Sequence, residues 1–166
     1  MKIREARQDE LAHVREQRIK AYLPYARLIP EGHWKALEGS LASEADQQSG
    51  ARLFVAESGG EPVGSVVLFP AKSDAYDGHI EAVDYPEIRM LAVHEDYRGK
   101  GVASALVTEC IARARAEGHR YIGLHTGEFM EPAIRLYERI GFERVPENDF
   151  QPAGDGVNVR AYRLPI

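Results

Sequence analysis

The chain has 166 residues, a formal net charge of −5 and a sequence pI of about 5.7, with 44% hydrophobic and 28% charged residues. These values are ordinary for a soluble globular protein, so we expect a single domain over residues 1–166. The acidic balance and the lack of Lys or Arg runs argue against nucleic acid as a partner, because the phosphate backbone favours clustered positive charge.

The amino terminus and the apolar segments predict a protein of the cytoplasm with no membrane association. The first ten residues contain no apolar stretch of the signal-peptide kind, and apolar runs such as residues 66–69 are far shorter than the ~20 residues of a membrane helix. The single Cys110 cannot form an internal disulfide. No two histidines are spaced as metal ligands are, so we expect no metal.

The pattern of apolar residues and turn residues predicts alternating strands and helices. In chain order the predicted elements are a strand at 2–6, a helix at 8–22, a helix within 33–48, and strands at 51–58, 62–69 and 87–93. A helix from 101 to about 118, a strand at 121–126, a helix at 132–141 and strands at 142–145 and 157–164 follow. This order predicts an α/β (α+β) fold, in which a mixed, mostly antiparallel, twisted sheet of about seven strands is flanked by four helices.

A glycine-rich turn joins the predicted strand at 87–93 to the helix that follows it. Gly99 and Gly101 let the backbone come close to a ligand, and the free N–H groups of the first helical turn favour negative charge. Arg98 and Lys100 add two cationic side chains, and Ser104 adds a hydroxyl. The pattern predicts a site for an anion such as a pyrophosphate.

Two other phosphate-binding motifs do not match this turn. A P-loop needs G-x-x-x-x-G-K-[ST], and the segment lacks both the distant first glycine and the Ser or Thr that follows Lys. A dinucleotide fingerprint needs G-x-G-x-x-G, but Ser104 stands at the third glycine position. From these residues alone, a plain tight turn between a strand and a helix stays an alternative.

The same turn resembles the [Q/R]-x-x-G-x-[G/A] motif of the GNAT superfamily, the Gcn5-related N-acetyltransferases. The matching residues are Arg98-Gly99-Lys100-Gly101-Val102-Ala103. About thirty residues downstream, the segment AIRLYERIGF at 133–142 is similar to the family's A-x-x-L-Y-x-x-x-G-F segment. The order of elements also matches the family over essentially the whole chain, so the resemblance implies the GNAT fold.

The resemblance implies acetyl-CoA (coenzyme A) as co-substrate, with its pantetheine arm along the strand at 87–93. The backbone N–H of Val93 or Ala92 is expected to stabilise the thioester oxygen. Many members carry Asn where this chain has Met130, for which we expect an apolar contact instead. The expected cofactor-binding residues are Leu91, Ala92, Val93, Arg98, Gly99, Lys100, Gly101, Val102, Ala103, Ser104, Met130 and Ala133.

The resemblance also implies that a primary amine attacks acetyl-CoA directly in a ternary complex. An alkylammonium has a pKa of ~10.4, so a base has to remove a proton first. Glu87 resembles the glutamate base of histone-type members, with ordered water or Glu81, Asp84 and Glu95 as alternatives. Tyr137 occupies the position of the family's usual general acid, although its ring is also expected to pack in the core.

Several features bear on the amine acceptor, which would be a small molecule, a peptide or a protein. Residues 73–88 contain five acidic residues and no Lys or Arg, so they form either a solvated loop or an entrance that draws in a cation. Tyr22, Tyr25 and Trp34 lie where relatives build acceptor walls, with the core as the alternative. His125 is expected to be structural, with an acceptor contact as the alternative.

A rival interpretation is a non-catalytic acyl-CoA-binding or sensing module. Glu87 and Tyr137 argue against it, because a module without turnover needs neither a base nor an acid. Cys110 lies on the buried face of its predicted helix, which does not favour an acyl-enzyme step. The resemblance is compatible with a homodimer.

Overall fold

A computed structural model describes residues 1–73, 78 and 81–166. Its strands are β1 Lys2–Glu5, β2 Arg52–Ser58, β3 Glu61–Phe69, β4 Glu87–Val93, β5 Tyr121–Gly127, β6 Glu143–Arg144 and β7 Val159–Pro165. Its α-helices are α1 Leu11–Tyr22, α2 Glu31–Ala42, α3 Val102–Ala116 and α4 Glu131–Ile140. The predicted order of elements is confirmed. No described helix is long and apolar enough to cross a membrane.

The described strands form one sheet in the order β1-β2-β3-β4-β5-β7-β6. Every neighbouring pair is antiparallel except β4 and β5, which are parallel. The predicted mixed, mostly antiparallel sheet is therefore confirmed. The parallel pair lies at the centre, where the chain crosses from β4 through α3 to β5.

The two central strands pair over a short distance only. Their register contains two pairs, Glu87↔Gly123 and Ile88↔Leu124, and no further pair follows between the described residues of the two strands. Past Ile88 the strands therefore separate. The β5-facing edge of the rest of β4 is left open to another hydrogen-bonding partner.

A β-bulge lies in β4 where the strands separate. Ala92 pairs with Ser65 and Arg89 pairs with Val67, so two residues of β4, Met90 and Leu91, oppose a single residue of β3. Met90 has φ +60°, which is uncommon for a residue with a side chain. A bulge bends its strand and redirects the side chains next to it, here at the edge of the gap.

Helices cover both faces of the sheet and bury a separate cluster on each. On one face α3 and α4 pack their apolar stripes, including Leu106, Cys110 and Ile134, over Ile88 and its neighbours. On the other face α1 and α2 pack over Met90 and over the β3 side chains that point to that face, including Val67 and Phe69. The gap between β4 and β5 connects these two faces.

The boundaries differ from the predicted ones mainly in the second helix. It begins at Glu31, directly after Pro30, and ends at Ala42. Ser43 then takes an extended conformation, and its hydroxyl accepts a hydrogen bond from the Ala45 N–H at 3.2 Å. This cap starts a separate 3-10 turn at Glu44–Gln47, so the helix expected within 33–48 starts two residues earlier and occupies the first part of that range.

Candidate active site

The glycine-rich turn ends at the first residue of α3. Gly99 has φ +72° and Gly101, which caps the helix, has φ +81°. A Cβ atom at either position would have no heavy atom within 4 Å. The backbone over the first turn of α3 is therefore open, and its free N–H groups are accessible to an anion.

Two cationic side chains lie beside this turn. Arg98 is exposed and donates from Nη2 to the Ala21 carbonyl oxygen at 3.1 Å, which joins the turn to the end of α1. Lys100 is also exposed, with Nζ 5.3 Å from the centre of the Tyr97 ring. Both positive charges therefore lie at the amino-terminal end of α3, where the sequence predicted an anion-binding site.

The other residues of the motif differ in what they can offer a ligand. Val102 is 3% exposed, and a Cβ at Gly64 would lie 2.9 Å from its Cγ1, so its side chain packs tightly onto β3. Val102 can contribute only its backbone. Ala103, Ser104 and Ala133 are half-buried, so part of each remains accessible.

A cavity of about 270 Å³ lies on the α1 and α2 side of the gap. Four β4 residues, Ile88, Arg89, Met90 and Leu91, line it together with the end of β5. The other walls come from α2, from the segment at 150–159, and from Tyr22, Phe129, Met130 and Tyr137. The cavity is thus bordered by residues of both faces, since Ile88 and Tyr137 belong to the cluster under α3 and α4, and Tyr22 and Met90 to the cluster under α1 and α2.

The backbone of β4 presents an N–H group to the gap. The N–H of His94 donates to Val63 of β3 at 2.9 Å. Since successive N–H groups of a strand point to opposite sides, that of Val93 points away from β3 and that of Ala92 points toward it. Of the two donors predicted for the thioester oxygen, the geometry favours Val93.

Tyr137 reaches the cavity from α4 on the opposite face. The residue is 5% exposed, and its ring lies 5.7 Å from the Phe142 ring in an edge-to-face arrangement. Its hydroxyl makes no hydrogen bond to another described residue. Burial raises the pKa of Tyr137 well above its usual value, so the phenol carries its proton at neutral pH and can act as a donor.

Glu87 and His125 form a buried pair at the point where β4 and β5 begin to separate. Their side chains are 6% and 2% exposed, and His125 Nδ1 lies 2.9 Å from Glu87 Oε2. His125 Nε2 lies 3.1 Å from the carbonyl oxygen of Asn148, which can only accept. His125 therefore contacts the Glu87 carboxyl group with one ring nitrogen and the Asn148 carbonyl oxygen with the other. His125 lines the cavity and Glu87 stands behind it.

Of the three aromatic residues expected near the acceptor, one faces the cavity. Tyr22 lines it. Tyr25 stands behind, with its ring 5.6 Å from that of Phe129, and Trp34 is 9% exposed in the core below α2. The acidic Asp74 and Asp77 of the predicted entrance lie outside the described residues.

The sequence did not indicate several of the cavity residues. Met130, which is among the expected cofactor-binding residues, lines this cavity, and its sulfur accepts a hydrogen bond from the Thr126 hydroxyl at 3.7 Å. Phe129 and Phe150 form two walls, although neither belongs to a motif or to a periodic apolar stripe. No group of His, Cys, Asp and Glu suited to a metal occurs in the described part of the chain.

The profile of the Acetyltransferase (GNAT) family matches residues 15–142, a span that contains the glycine turn and the α4 motif. The chain belongs to the GNAT family. Because the profile covers most of the sheet and three of the four helices, the implied GNAT fold is confirmed.

Two curated GNAT relatives illustrate the similarity. The chain is 30% identical over 142 residues to an uncharacterized N-acetyltransferase of Methanocaldococcus jannaschii, covering 85% of this chain and 60% of that protein. It is 35% identical over 99 residues to N-acetyltransferase 8 of Rattus norvegicus, covering 60% and 42%. The match thus spans 60% or less of the length of either relative.

Solved structures share the GNAT fold over nearly their full length. A Corynebacterium glutamicum protein described as "histone acetyltransferase HPA2 and related acetyltransferase" has a TM-score of 0.71 at 23% identity, covering 98% of this chain and 94% of that one. A Salmonella typhimurium protein solved with acetyl-CoA as its cofactor has a TM-score of 0.66 at 23% identity, covering 99% and 93%. At these identities the likeness establishes the fold.

Proposed function

We propose that this GNAT chain transfers an acetyl group from acetyl-CoA to a primary amine by direct attack in a ternary complex. The observation that carries the proposal is the gap between β4 and β5. It connects the face of α3, where the glycine turn lies, to a cavity that contains the Tyr137 side chain. An extended cofactor arm and an amine can therefore meet at the gap from opposite faces.

The residues of the turn fit the anionic end of the cofactor. The first N–H groups of α3 are uncovered, and Arg98 and Lys100 stand beside them. From there the open edge of β4 leads toward Val93 and Leu91, where amide groups of a pantetheine arm can pair as a further strand would. When bound, acetyl-CoA supplies an acetyl group activated as a thioester.

In the reaction the amine nitrogen forms a bond to the acetyl carbon, and the bond from that carbon to sulfur breaks. The Val93 N–H points into the gap and stabilises negative charge that develops on the acetyl oxygen. Tyr137 donates its phenol proton to the departing thiolate. Its protonated state and its hydroxyl without a described partner suit this role.

The amine has to lose a proton before or during attack, and Glu87 is the proposed base. Its carboxyl lies beside the gap but behind His125, so the proton reaches it through one water. The His125 contacts to Glu87 and Asn148 fix the carboxyl in place across three segments of the chain. His125 is thus a positioning residue in this proposal.

An acyl-enzyme route through Cys110 is not favoured. The thiol is fully buried in the cluster under α3, and burial raises its pKa to about 12. A nucleophilic cysteine needs the opposite, an accessible thiol with a lowered pKa. Direct attack is the simpler route.

The test is CoA release from acetyl-CoA, monitored with a thiol reagent across a panel of amines, together with calorimetry of CoA binding. Amine-dependent release supports the proposal. Tight CoA binding without release on any amine would instead favour a sensing module, and absence of CoA binding would contradict both.

A further inference from the structure

Acetylation of a primary amine removes two protons from its nitrogen. At neutral pH the substrate is an ammonium group with three hydrogens on nitrogen, whereas the amide nitrogen of the product keeps one. Glu87 is the proposed acceptor of one proton, and Tyr137 acts as a donor. A second side chain that can take up a proton is therefore expected at the cavity.

Among the described residues that line the cavity, five have titratable side chains: Tyr22, His33, Arg89, His125 and Tyr137. The guanidinium of Arg89 is always protonated and has no acceptor atom. Burial raises the pKa of both tyrosines well above the usual value, so each phenol already holds its proton at neutral pH. His125 contacts Glu87 with one ring nitrogen and Asn148 with the other. Of the five side chains, His33 is left as the acceptor.

His33 lies in the first turn of α2, and its ring is held in place by two contacts. Nδ1 lies 3.0 Å from Asp155 Oδ2, on the segment at 150–159. The ring also meets that of Phe129 edge to face, with 6.0 Å between the centroids. The side chain is 7% exposed, and the residue lines the cavity. The imidazole is therefore fixed at the cavity wall before an amine binds.

The charge of Asp155 decides which nitrogen of His33 carries the hydrogen. Partial desolvation raises the pKa of Asp155, but the Val157 N–H, 3.1 Å from Oδ1, and His33 outweigh it, so the pKa lies below its usual value. An ionised carboxylate can only accept, so Nδ1 is the donor and Nε2 of the neutral ring carries a lone pair.

The second ring nitrogen of His33 is available to a substrate. Nε2 makes no hydrogen bond to a described residue. Within the described part of the chain, the buried polar side-chain atoms that lack a partner belong to Arg18 alone, so Nε2 keeps some exposure. A base oriented by a carboxylate at one nitrogen, with the other nitrogen free, is the arrangement that proton transfer requires.

We propose that His33 is a second base, which accepts the proton that leaves the nitrogen after its bond to the acetyl carbon has formed. This inference rests on the proposed acetyl transfer. In that reaction Glu87 takes the first proton from the ammonium group, and the free amine then attacks. His33 and Tyr137 line the same cavity of about 270 Å³, so both can contact a small amine bound in it.

The protons balance over the whole reaction. Once the C–N bond has formed, the nitrogen is positively charged, and the oxygen and sulfur on the neighbouring carbon make its hydrogens more acidic than those of the starting ammonium group. An imidazole is then a strong enough base, and one proton moves from nitrogen to His33 Nε2. The C–S bond breaks, its electron pair goes to sulfur, and Tyr137 protonates the sulfur. After product release, one proton returns from Glu87 or His33 to Tyr137 and the other goes to solvent.

The experiment compares His33→Ala with the parent chain on an amine that the panel shows to be acetylated. We expect kcat to fall by about 10², at the low end for a general base, because water can accept the proton slowly. Imidazole added to the buffer should restore part of the rate, which it would not do for a merely structural histidine. The matched control is His119→Ala, whose Nε2 lies 3.7 Å from Glu117 Oε2 outside the cavity, and it should keep the parent rate.

The pH separates the two bases. The loss in Glu87→Gln should shrink as the pH approaches ~10.4, where the amine is free before it binds. The loss in His33→Ala should persist there, because the second proton still has to leave the nitrogen after attack.

Asp155 is a positioning residue in this proposal, and ring-nitrogen NMR of isotope-labelled histidine tests it without turnover. With CoA bound, the His33 signal, assigned by its loss in His33→Ala, should show the hydrogen on Nδ1. In Asp155→Asn the new amide can donate to Nδ1, so part of the hydrogen should move to Nε2, and kcat should fall by about tenfold.

Thermal melting identifies any variant that fails to fold. A hydrogen on Nε2 of His33 in the parent chain, a parent-like kcat in folded His33→Ala, or a loss that imidazole does not restore would overturn this inference and leave acetyl transfer intact. Absence of amine-dependent CoA release by the parent chain would overturn the proposed function, and the inference with it.

Discussion

The anion site is tested most sharply by a pair of nearly isosteric substitutions at Gly101. Gly101→Asp adds a side chain and a negative charge at the helix terminus, whereas Gly101→Asn adds the same shape without the charge. Both have to adopt φ near +81°, which costs a side-chain-bearing residue about 1–2 kcal/mol and is best tolerated by these two residue types. The difference in CoA affinity between the two variants therefore measures the effect of the added charge alone.

The size of the effect follows from the exposure of the turn. Two unit charges about 4 Å apart repel by ~1 kcal/mol in water and by ~4 kcal/mol at the effective dielectric constant of a protein surface. Since Gly101 is exposed, we expect the Asp variant to bind CoA more weakly than the Asn variant by about 1–4 kcal/mol, which is roughly fivefold to several hundredfold in Kd. The difference should shrink as salt is raised, because ions screen exposed charges.

Calorimetric titration of CoA into both variants measures this difference. Gly118→Asn, at φ +85° just past the other end of α3, is the control for the backbone cost and should bind CoA as the parent chain does. Equal CoA affinity for the folded Asp and Asn variants of Gly101 would mean that the pyrophosphate does not bind at this turn.

Three further substitutions test the proposed acid, the proposed base and the buried carboxylate of Glu10, which accepts two hydrogen bonds from Arg4. Tyr137→Phe should lower kcat by about 10² without changing CoA affinity or melting temperature, because the hydroxyl it removes has no described partner; a parent-like kcat would remove Tyr137 from the mechanism. Glu87→Gln should lower the transfer rate most at low pH, where little free amine exists, and a loss independent of pH would assign the base to water. Glu10→Gln should lower the free energy of unfolding by about 1–3 kcal/mol at pH 7, against less than about 0.5 kcal/mol for the exposed Glu31→Gln. The two hydrogen bonds from Arg4, at 2.6 and 3.0 Å, hold the pKa of Glu10 at about 2, below its ordinary value of 4.5. This stabilisation is present above pH 4.5 and is lost as the pH falls through 2, so a Glu10→Gln difference in urea unfolding that stays constant over that range would contradict the assignment.

Features set by local sequence were predictable. Gly99 and Gly101 follow a strand and precede a helix, and both the turn and the exposed N–H groups depend on those few residues alone. The apolar stripe of α3, with Leu106 and Cys110 on its buried face, follows from helical spacing in the same way. The order of helices and strands along the chain agreed with the prediction for this reason.

Features that depend on contacts distant in sequence were not predictable. The bulge at Met90 places a side-chain-bearing residue at positive φ. A methionine in the sequence gives no indication of this conformation, whereas a glycine would. The pairing of Glu87 with His125 joins residues 38 positions apart, across two strands whose separation is set by tertiary packing. The ring of Phe129 faces the cavity because Gly127 leaves room for it, which the spacing of apolar residues does not reveal.

The most direct test of the account follows the acetyl group itself. The protein is incubated with acetyl-CoA labelled in its acetyl group and a mixture of primary amines, and the products are separated by mass spectrometry. The account predicts label on an amine nitrogen, released CoA in equal amount and no label on the protein. Label found only as free acetate, on the protein, or still on tightly bound acetyl-CoA would contradict it.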